Sequence, residues 1–239
     1  LERIAAAQPA LNAFVTITGE SALAAAAAAD AARAKGQVGR LAGVPIAHKD
    51  IFCTEGVLTT CGSRMLENYV SPYDAHVIER FHAAGAVLLG KTNMGEFAMG
   101  SSNETSYFGP VRNPWDRARV PGGSSGGSGA ALAAGLTGIE AGSDIGASIR
   151  NPAHYCGVWG HKPSWGVVSP KGHALAGAVA YGDIGVVGPL ARGAEDLEIA
   201  LTAMAGPDAV DGRGWTLTLP RSKKTKLRDF KVAVLLTDP

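Results

Sequence analysis

Apolar and polar positions along the chain form blocks that predict helices, each followed by a strand. Ser21 can cap a helix that runs through the alanine-rich stretch to Gly36, and Asp74 can cap a second helix that closes at Gly85. Four further segments show the apolar pattern of an element: strands at 44–52 and 86–90, and helices near 130–134 and 193–205. Because helices and strands alternate, the pattern predicts a layered α/β fold.

The length of the chain fits a single domain. It has 239 residues, of which 46% are hydrophobic, and these can bury a core of ordinary size. Residues 230–236 (FKVAVLL) read as a buried strand, which an α/β protein would normally follow with a helix, yet the sequence stops at Pro239 and opens on Leu1 rather than Met. We therefore expect residues 1–239 to be one domain that is an incomplete portion of a longer chain.

Charge and cysteine content argue against several classes of protein. The chain has 22 Lys and Arg residues and 21 Asp and Glu residues. The resulting net charge of +1 is too small to attract a polyanion such as nucleic acid. Three cysteines without a Cys-x-x-Cys pair indicate neither a disulfide framework nor a zinc site. No apolar run approaches the roughly 20 residues that cross a membrane. We expect a cytoplasmic protein that uses no cofactor and no metal.

Residues 121–129 (PGGSSGGSG) form a block of glycine and serine in front of an apolar helix. A phosphate-binding loop is disfavoured, because the Gly-Lys-Ser/Thr ending is missing and no lysine lies between Lys91 and Lys162. The block formally matches the nucleophile elbow G-x-S-x-G with Ser125 at its centre. That motif needs a strand directly before it, however, and residues 113–121 read as loop. A flexible linker is disfavoured as well, since apolar periodic segments continue on both sides.

A second block of this kind, residues 142–152 (GSDIGASIRNP), stands between a strand-like segment at 136–140 and a helix whose first turn can hold Pro152. Backbone N–H groups at a strand-to-helix turn point into one space, where they can bind the oxyanion of acyl transfer. Ser148 is placed to attack a carbonyl group whose oxygen these N–H groups hold.

A serine such as Ser148 is a weak nucleophile until a base takes its proton. Six histidines are present, but none stands in a recognisable triad context. A lysine can serve if it is held uncharged, which costs about 5 kcal/mol at pH 7 and must come from burial and neighbours. Strand alternation places Lys49 on the same face as Ala47 and Ile51, with Asp50 on the other face. Lys49 is therefore the candidate base.

Three ordered segments make the chain resemble the amidase signature family, which includes fatty-acid amide hydrolases, aryl acylamidases and the glutaminase subunit of tRNA-dependent amidotransferases. They are GVPIAHKD at 43–50, GGSSGGS at 122–128 and SDIGASIRNPA at 143–153, supported by CGVWGHKPSWG at 156–166. The spacing also agrees, with 75 residues from Lys49 to Ser124 and 24 from Ser124 to Ser148. The similarity runs from about residue 12 to residue 205. It implies a mixed central β-sheet covered by helices on both faces.

The resemblance implies a role for each matching residue. Ser148 would be the acylated nucleophile, Lys49 the base, and Ser124 the serine that carries the proton between them, after a cis peptide bond from Gly123. The protonated relay would then protonate the leaving amine, and this step makes amides as well as esters cleavable.

The oxyanion donors would be backbone N–H groups of one turn: Ile145, Gly146, Ala147 and Ser148. Most members of the family have Gly-Gly-Ser where this chain has Gly-Ala-Ser at 146–148, and we expect the added methyl group of Ala147 to restrict φ and to narrow the site. Asp144 and Arg150 are expected to brace the turn as a buried pair.

Met99 and Gly100 are the further residues that we expect to contact the substrate. Met94 and Cys61 are candidates for the lining of an acyl pocket, with an ordinary position in the apolar core as the alternative for each of them.

The substrate is less well defined by the sequence. Residues 92–104 (TNMGEFAMGSSNE) resemble the amidotransferase subunit, which usually carries Asp where Gly95 stands, whereas the segment from Asn151 onward looks more like stand-alone amidases. We therefore expect a stand-alone amidase for small neutral or aryl amides, with esters, anilides or carbamates as further substrates. Its partners would be that small molecule and a second copy in a homodimer, without nucleic acid or membrane. The alternative is a glutaminase subunit that releases ammonia for a tRNA-dependent partner.

Overall fold

A six-stranded β-sheet forms the centre of the fold in the computed structural model, which describes residues 1–36, 39–173, 182–220 and 222–234. Its strands are β1 (Phe14–Ile17), β2 (Pro45–Lys49), β3 (Val87–Thr92), β4 (Ile139–Asp144), β5 (Trp159–Gly160) and β6 (Val186–Ala191). The helices are α1 (Glu2–Leu11), α2 (Gly19–Ala34), α3 (His76–Ala83), α4 (Gly126–Ala133), α5 (Arg150–Cys156) and α6 (Ala194–Met204).

The sheet is mixed, with the strand order β1-β3-β2-β4-β6-β5. Strand β2 lies in the middle and runs parallel to both of its neighbours, β3 and β4. The outer pairs, β1 with β3, β4 with β6 and β5 with β6, are antiparallel. A central parallel strand is screened from solvent on all sides. A side chain at the carboxyl end of β2 therefore lies where water is largely excluded.

Helices cover both faces of this sheet, as two neighbouring residues of β2 show. Ile46 belongs to the apolar cluster that also contains Phe81 of α3 and Met204 of α6. Ala47 belongs to a different cluster, together with Ala130 of α4. Because successive side chains of a strand point to opposite faces, the two clusters lie on opposite sides of the sheet. The expected α/β fold, a mixed sheet with helices on both faces, is confirmed.

The predicted helix caps are wrong, although the helices themselves are present. Helix α2 begins at Gly19 after Thr18, and the hydroxyl of Ser21 donates to the Thr18 carbonyl inside the first turn. Helix α3 begins after Ala75, while the Asp74 carboxylate accepts a hydrogen bond from the backbone of Glu55. Ser and Asp side chains bond to nearby backbone in turns as well as at helix starts, so their presence alone does not fix the first helical residue.

The first Gly/Ser block precedes α4 as far as residue 125, and its last four residues, 126–129, form the start of the helix. The backbone N–H of Gly127 donates to the Asn93 carbonyl at 2.9 Å, and a Cβ atom at Gly127 would collide with that oxygen. Glycine therefore permits a close approach of two backbones at this point. Strand β4 begins at Ile139, later than predicted, and extends to Asp144.

The predicted strand at 230–236 is wrong for residues 230–234, which form no strand. Phe230, Val232 and Val234 are 42%, 75% and 69% exposed. An apolar run becomes a buried strand only beside a sheet that can pair with it, and no described strand lies next to this one. Residues 235 and 236 lie outside the described part of the chain.

None of the helices described is long and apolar enough to cross a membrane.

Glu140 is a buried carboxylic acid near the start of β4. Its Oε1 accepts a hydrogen bond from the Thr137 hydroxyl at 2.8 Å, and Oε2 has no partner among the residues described. Burial raises the pKa of Glu140 to about 8, although the hydrogen bond from Thr137 opposes the shift. The folded state therefore holds a proton at neutral pH that the unfolded chain, with its ordinary carboxyl pKa near 4.5, has already released.

We predict that Glu140→Gln stabilises the fold, and that the gain grows as the pH rises from 5 to 8. Because the pKa of Glu140 is raised on folding, the wild-type free energy of unfolding falls across this pH range by at most about 1.4 kcal/mol per pH unit. The amide of the variant does not titrate, so its contribution stays constant. Urea unfolding at pH 5, 6.5 and 8 measures the difference. Glu198→Gln, at an exposed position of α6, is the control. A stability difference that does not change with pH would contradict the prediction.

Candidate active site

Lys49 ends β2 and is completely buried. Its Nζ atom donates hydrogen bonds to two hydroxyl oxygens, Ser124 Oγ at 2.7 Å and Ser143 Oγ at 3.0 Å. The adjacent acid, Asp50, is bound elsewhere, because its carboxylate accepts from Thr60 and forms an ion pair with Lys91 at 3.3 Å. The predicted separation of Lys49 from Asp50 is confirmed, and the Lys49 amine has two neutral acceptors.

The surroundings of Lys49 favour its uncharged form. Burial lowers the pKa of its amine from 10.5 to about 7, and the more distant charge of Asp144 opposes the shift only in part. Desolvation penalises a charged ammonium group wherever no close carboxylate compensates for it. At neutral pH a substantial fraction of Lys49 therefore carries no proton and can accept one.

Ser124 lies between Lys49 and the cavity of the candidate site. The Gly123–Ser124 peptide bond is cis, as the family resemblance implies. The Ser124 carbonyl accepts a hydrogen bond from the Gly95 N–H at 3.1 Å, and α4 begins two residues later at Gly126. The strand β2, the helix α4 and the loop that contains Gly95 together fix the hydroxyl that receives the Lys49 hydrogen bond.

Ser148 lies in the turn between β4 and α5, and Asp144 organises this turn. The Asp144 carboxylate accepts from the backbone N–H groups of Ala147 at 2.8 Å and Ile149 at 3.0 Å. It also binds the Arg150 guanidinium through two hydrogen bonds, of 3.1 and 3.0 Å. Burial raises the pKa of Asp144, but the hydrogen bonds from Arg150 and from the backbone outweigh it and bring that pKa below its usual value.

Two expectations about this turn need correction. Asp144 and Arg150 do form the predicted pair, but the Arg150 side chain is 53% exposed, so only the carboxylate is buried. The backbone N–H of Ala147 is not a free oxyanion donor, because Asp144 accepts its hydrogen bond. Side chains at a tight turn compete for the same N–H groups that an oxyanion would use.

The other three predicted donors have no such acceptor. The backbone N–H groups of Ile145, Gly146 and Ser148 bind no acceptor within the described ranges of the chain. Ala147, which separates Gly146 from Ser148, has a φ of 80°, in the left-handed region that side chains rarely adopt. This conformation lets its N–H turn back to Asp144 while its neighbours keep theirs unoccupied.

Ser124, Ser143 and Ser148 line one cavity of about 220 Å³. Most of the remaining wall is apolar and includes Ile51, Phe97, Met99, Ile145, Val186 and Val187. Lys49 lies behind the hydroxyls of Ser124 and Ser143. The site thus combines a buried amine, three hydroxyl groups and unoccupied backbone donors in a largely apolar enclosure.

The structure separates the predicted lining residues into two groups. Met99 and Ile145 line the cavity, whereas Gly100, Gly146 and Ala147 do not. Met94 and Cys61 are buried in the core cluster, which was the alternative for both. The expectation that the methyl group of Ala147 narrows the site is therefore wrong. Neighbouring positions such as Met99 and Gly100 differ in whether they line the cavity, and composition alone cannot separate them.

The sequence did not indicate two polar residues of the site, Ser143 and His173. Ser143 belongs to the second Gly/Ser block, and its position at the end of β4, beside the central strand β2, was the available signal. His173 follows the described turn at 170–172 and lines the cavity beside Ile51 and Pro170. No sequence pattern connects it with the site, because its approach depends on tertiary packing.

The predicted contacts among Lys49, Ser124 and Ser148 are present only in part. Lys49 binds Ser124 directly, but no hydrogen bond joins the hydroxyls of Ser124 and Ser148 in the described part of the structure, although both line the same cavity. The rival candidate Ser125 is buried, does not line the cavity and bonds to the Ser143 carbonyl at 3.4 Å. The residues before it form a loop, so the nucleophile-elbow hypothesis is wrong.

Comparisons with known proteins agree on one family. The sequence model described as Amidase matches residues 1–239. A glutamyl-tRNA(Gln) amidotransferase subunit of Azoarcus sp. (strain BH72) is 61% identical over 212 residues, which are 88% of this chain and 42% of that protein. This chain therefore spans less than half the length of that relative.

Solved structures resemble this chain in fold as well as in sequence. One comes from a vestigial protein complex described as revealing the evolutionary origins of an s-triazine catabolic enzyme; it is 46% identical, with a TM-score of 0.81 over 87% of this chain and 45% of that one. The peptide amidase from Stenotrophomonas maltophilia is 36% identical, with a TM-score of 0.78 over 89% of this chain and 44% of that one. The chain belongs to the amidase signature family, whose enzymes act on C–N bonds.

Proposed function

We propose that this chain hydrolyses carboxamides through an acyl-enzyme formed on Ser148. The observation that carries the proposal is the buried Lys49 amine, bonded at 2.7 Å to Ser124 beside the cavity that Ser148 lines. A buried lysine without a paired carboxylate is rarely a device for stability, since its desolvation is unfavourable. Perturbed groups of this kind are typical of catalytic sites.

The proposed proton path runs from Ser148 through Ser124 to Lys49. Hydrogen bonds between catalytic groups often form only once the substrate is bound, and a substrate in the cavity would bring the two hydroxyls within reach. Uncharged Lys49 then takes a proton from Ser124 as Ser124 takes one from Ser148. The Ser148 oxygen attacks the amide carbon, and the developing oxyanion accepts hydrogen bonds from the free N–H groups of the turn.

Collapse of the tetrahedral intermediate needs a proton on the departing nitrogen. The protonated Lys49 amine returns it through Ser124, the C–N bond breaks, and the acyl group remains on Ser148. Water then attacks the ester with the same groups acting in the same order, releasing the carboxylic acid and restoring the Ser148 hydroxyl. No further reactant is required.

For the substrate, we propose glutamine, with ammonia as the product passed to a tRNA-dependent partner. The support is the 61% identity with a glutamyl-tRNA(Gln) amidotransferase subunit over 88% of this chain. This relative favours the alternative drawn from residues 92–104 over the stand-alone amidase that the sequence from Asn151 onward suggested.

A stand-alone amidase for neutral amides is the second candidate, and one feature of the cavity favours it. Its wall is largely apolar, and the one carboxylate there, Asp144, is already paired with Arg150. The described wall thus offers no unpaired charge for the ammonium and carboxylate groups of glutamine. The apolar wall would suit an alkyl or aryl acyl group instead.

We predict that a fluorophosphonate adds one label to the chain and that Ser148→Ala abolishes the labelling. The reagent reacts with activated serine hydroxyls, and Ser148 is the one proposed to attack the substrate. Intact-mass analysis measures the adduct. Ser125→Ala is the matched control, one residue from Ser124 but outside the cavity, and it should keep the label. Labelling that survives in Ser148→Ala and disappears in Ser125→Ala would contradict the proposal.

We predict that kcat/KM rises with pH up to about 7 and then levels off, because the uncharged form of Lys49 is the base and its pKa is about 7. Below that pH the amine is protonated and cannot accept the Ser124 proton. Lys49→Met should lower kcat/KM by roughly 10²–10⁴-fold at pH 8. Lys35→Met, at an exposed position after α2, is the control. A wild-type profile that stays flat between pH 5.5 and 8.5 would argue against Lys49 as the base.

We predict that glutamine is hydrolysed with a higher kcat/KM than an anilide such as acetanilide. Ammonia release and aniline release can be followed in parallel on the same preparation. The reverse order, with anilide hydrolysis well above glutamine hydrolysis, would support the stand-alone amidase and exclude the glutaminase. The shared chemistry at Ser148 would stand in either case.

A further inference from the structure

His173 is a polar residue of the cavity wall that the proposed chemistry does not use. Its ring packs edge-on against Phe52, with the centroids 5.5 Å apart and an interplanar angle of 62°. Its Nε2 atom is buried and has no hydrogen-bond partner among the residues described. Buried polar atoms are nearly always hydrogen-bonded, so an exception beside a cavity calls for an explanation.

The charge state of His173 limits what it can do. Burial, together with the nearby charge of Lys49, lowers the pKa of its imidazole to about 3. The ring therefore stays neutral throughout the pH range of an enzyme assay. It cannot deliver a proton to the leaving amine, and it is too weak a base to take one from Ser148. A neutral imidazole still has one N–H donor and one acceptor nitrogen.

The surroundings of His173 in the cavity do not replace the missing hydrogen bond. The wall that His173 shares includes Ile51, Pro170, Val186 and Val187, whose side chains have no polar atoms. A molecule that fills the cavity is therefore the natural partner for the ring. When ammonia is the leaving group, the part of the substrate large enough to fill the cavity is its acyl portion.

We infer that His173 determines specificity by forming a neutral hydrogen bond with a polar group on the acyl portion of the substrate. The inference rests on the proposed amide hydrolysis, and it narrows the substrate class to amides whose acyl group carries an amino, carboxyl, hydroxyl or ring-nitrogen group. A site with a buried polar atom discriminates against an analogue that leaves this atom unpaired. His173 orients the acyl group while Ser148, Ser124 and Lys49 carry out the reaction.

Binding can be tested without turnover in a Ser148→Ala background. Two ligand pairs differ in the polar groups of the acyl portion: glutamine carries an amino and a carboxylate group that pentanamide lacks, and nicotinamide carries a ring nitrogen that benzamide lacks. Calorimetry gives Kd for each ligand with the Ser148→Ala chain and with the same chain that also carries His173→Leu or His173→Gln. His161→Leu makes the same chemical change at an exposed position outside the cavity and is the matched control.

The Ser148→Ala chain should bind the polar member of at least one pair more tightly than the apolar member. His173→Leu should weaken binding of that polar ligand about tenfold or more and change Kd for its apolar counterpart by less than about twofold. His173→Gln should recover most of the loss, because its amide also donates and accepts hydrogen bonds.

Two results would overturn the inference: no preference for either polar ligand, or equal weakening of both members of a pair by His173→Leu. Circular dichroism establishes whether each variant is folded, and His173→Gln remains informative if His173→Leu is not. Fluorophosphonate labelling of the wild-type chain tests the amidase proposal separately. Failure to label would refute that proposal, whereas normal labelling without a polar preference would refute only the role of His173.

Discussion

The burial of the Lys49 amine without a carboxylate partner is the constraint on which the rest of the site depends. An acid beside a buried lysine opposes the loss of its charge, whereas neutral acceptors leave the cost of desolvation uncompensated. Here both nearby acids are engaged elsewhere: Asp50 with Lys91, and Asp144 with Arg150 and the backbone of its turn. The hydroxyls of Ser124 and Ser143 are the acceptors that remain.

A second buried lysine, Lys91, shows how this distribution of charge is achieved. In the parallel pairing of β2 with β3, His48 lies opposite Lys91 and Lys49 opposite Thr92, so the two lysines are neighbours on adjacent strands. Lys91 takes the carboxylate of Asp50 and also donates to the Phe52 carbonyl and the Thr59 hydroxyl, both at 2.6 Å. One lysine of the pair is thus fully satisfied by charged and polar partners, which leaves the other with hydroxyls only.

The sequence predicted the layered α/β class and the separation of Lys49 from Asp50 because both depend on local periodicity, whereas the mixed sheet was implied by the family resemblance. Alternation along β2 separates Lys49 from Asp50, and the run of helices and strands determines the layered class. The wall of the cavity depends on which loops meet across the sheet, and this is why Ser143 and His173 were missed while Gly100 was expected on a wall that it does not line. The predicted strand fails over its described residues, 230–234, for a related reason, since its burial requires a neighbouring strand that no local pattern specifies.

Ala147 shows how a departure from a family pattern can leave the candidate chemistry intact. An added methyl group at a φ of 80° disfavours the conformation, and the sequence alone suggested that the site would become narrower. In the structure the residue lies outside the cavity wall, and its N–H is held by Asp144 at 2.8 Å. The donor that the substitution could have disturbed is therefore one that the turn already uses for itself. The free donors of Ile145, Gly146 and Ser148 are kept in place by the same carboxylate, so Asp144, rather than glycine at position 147, maintains the shape of the turn.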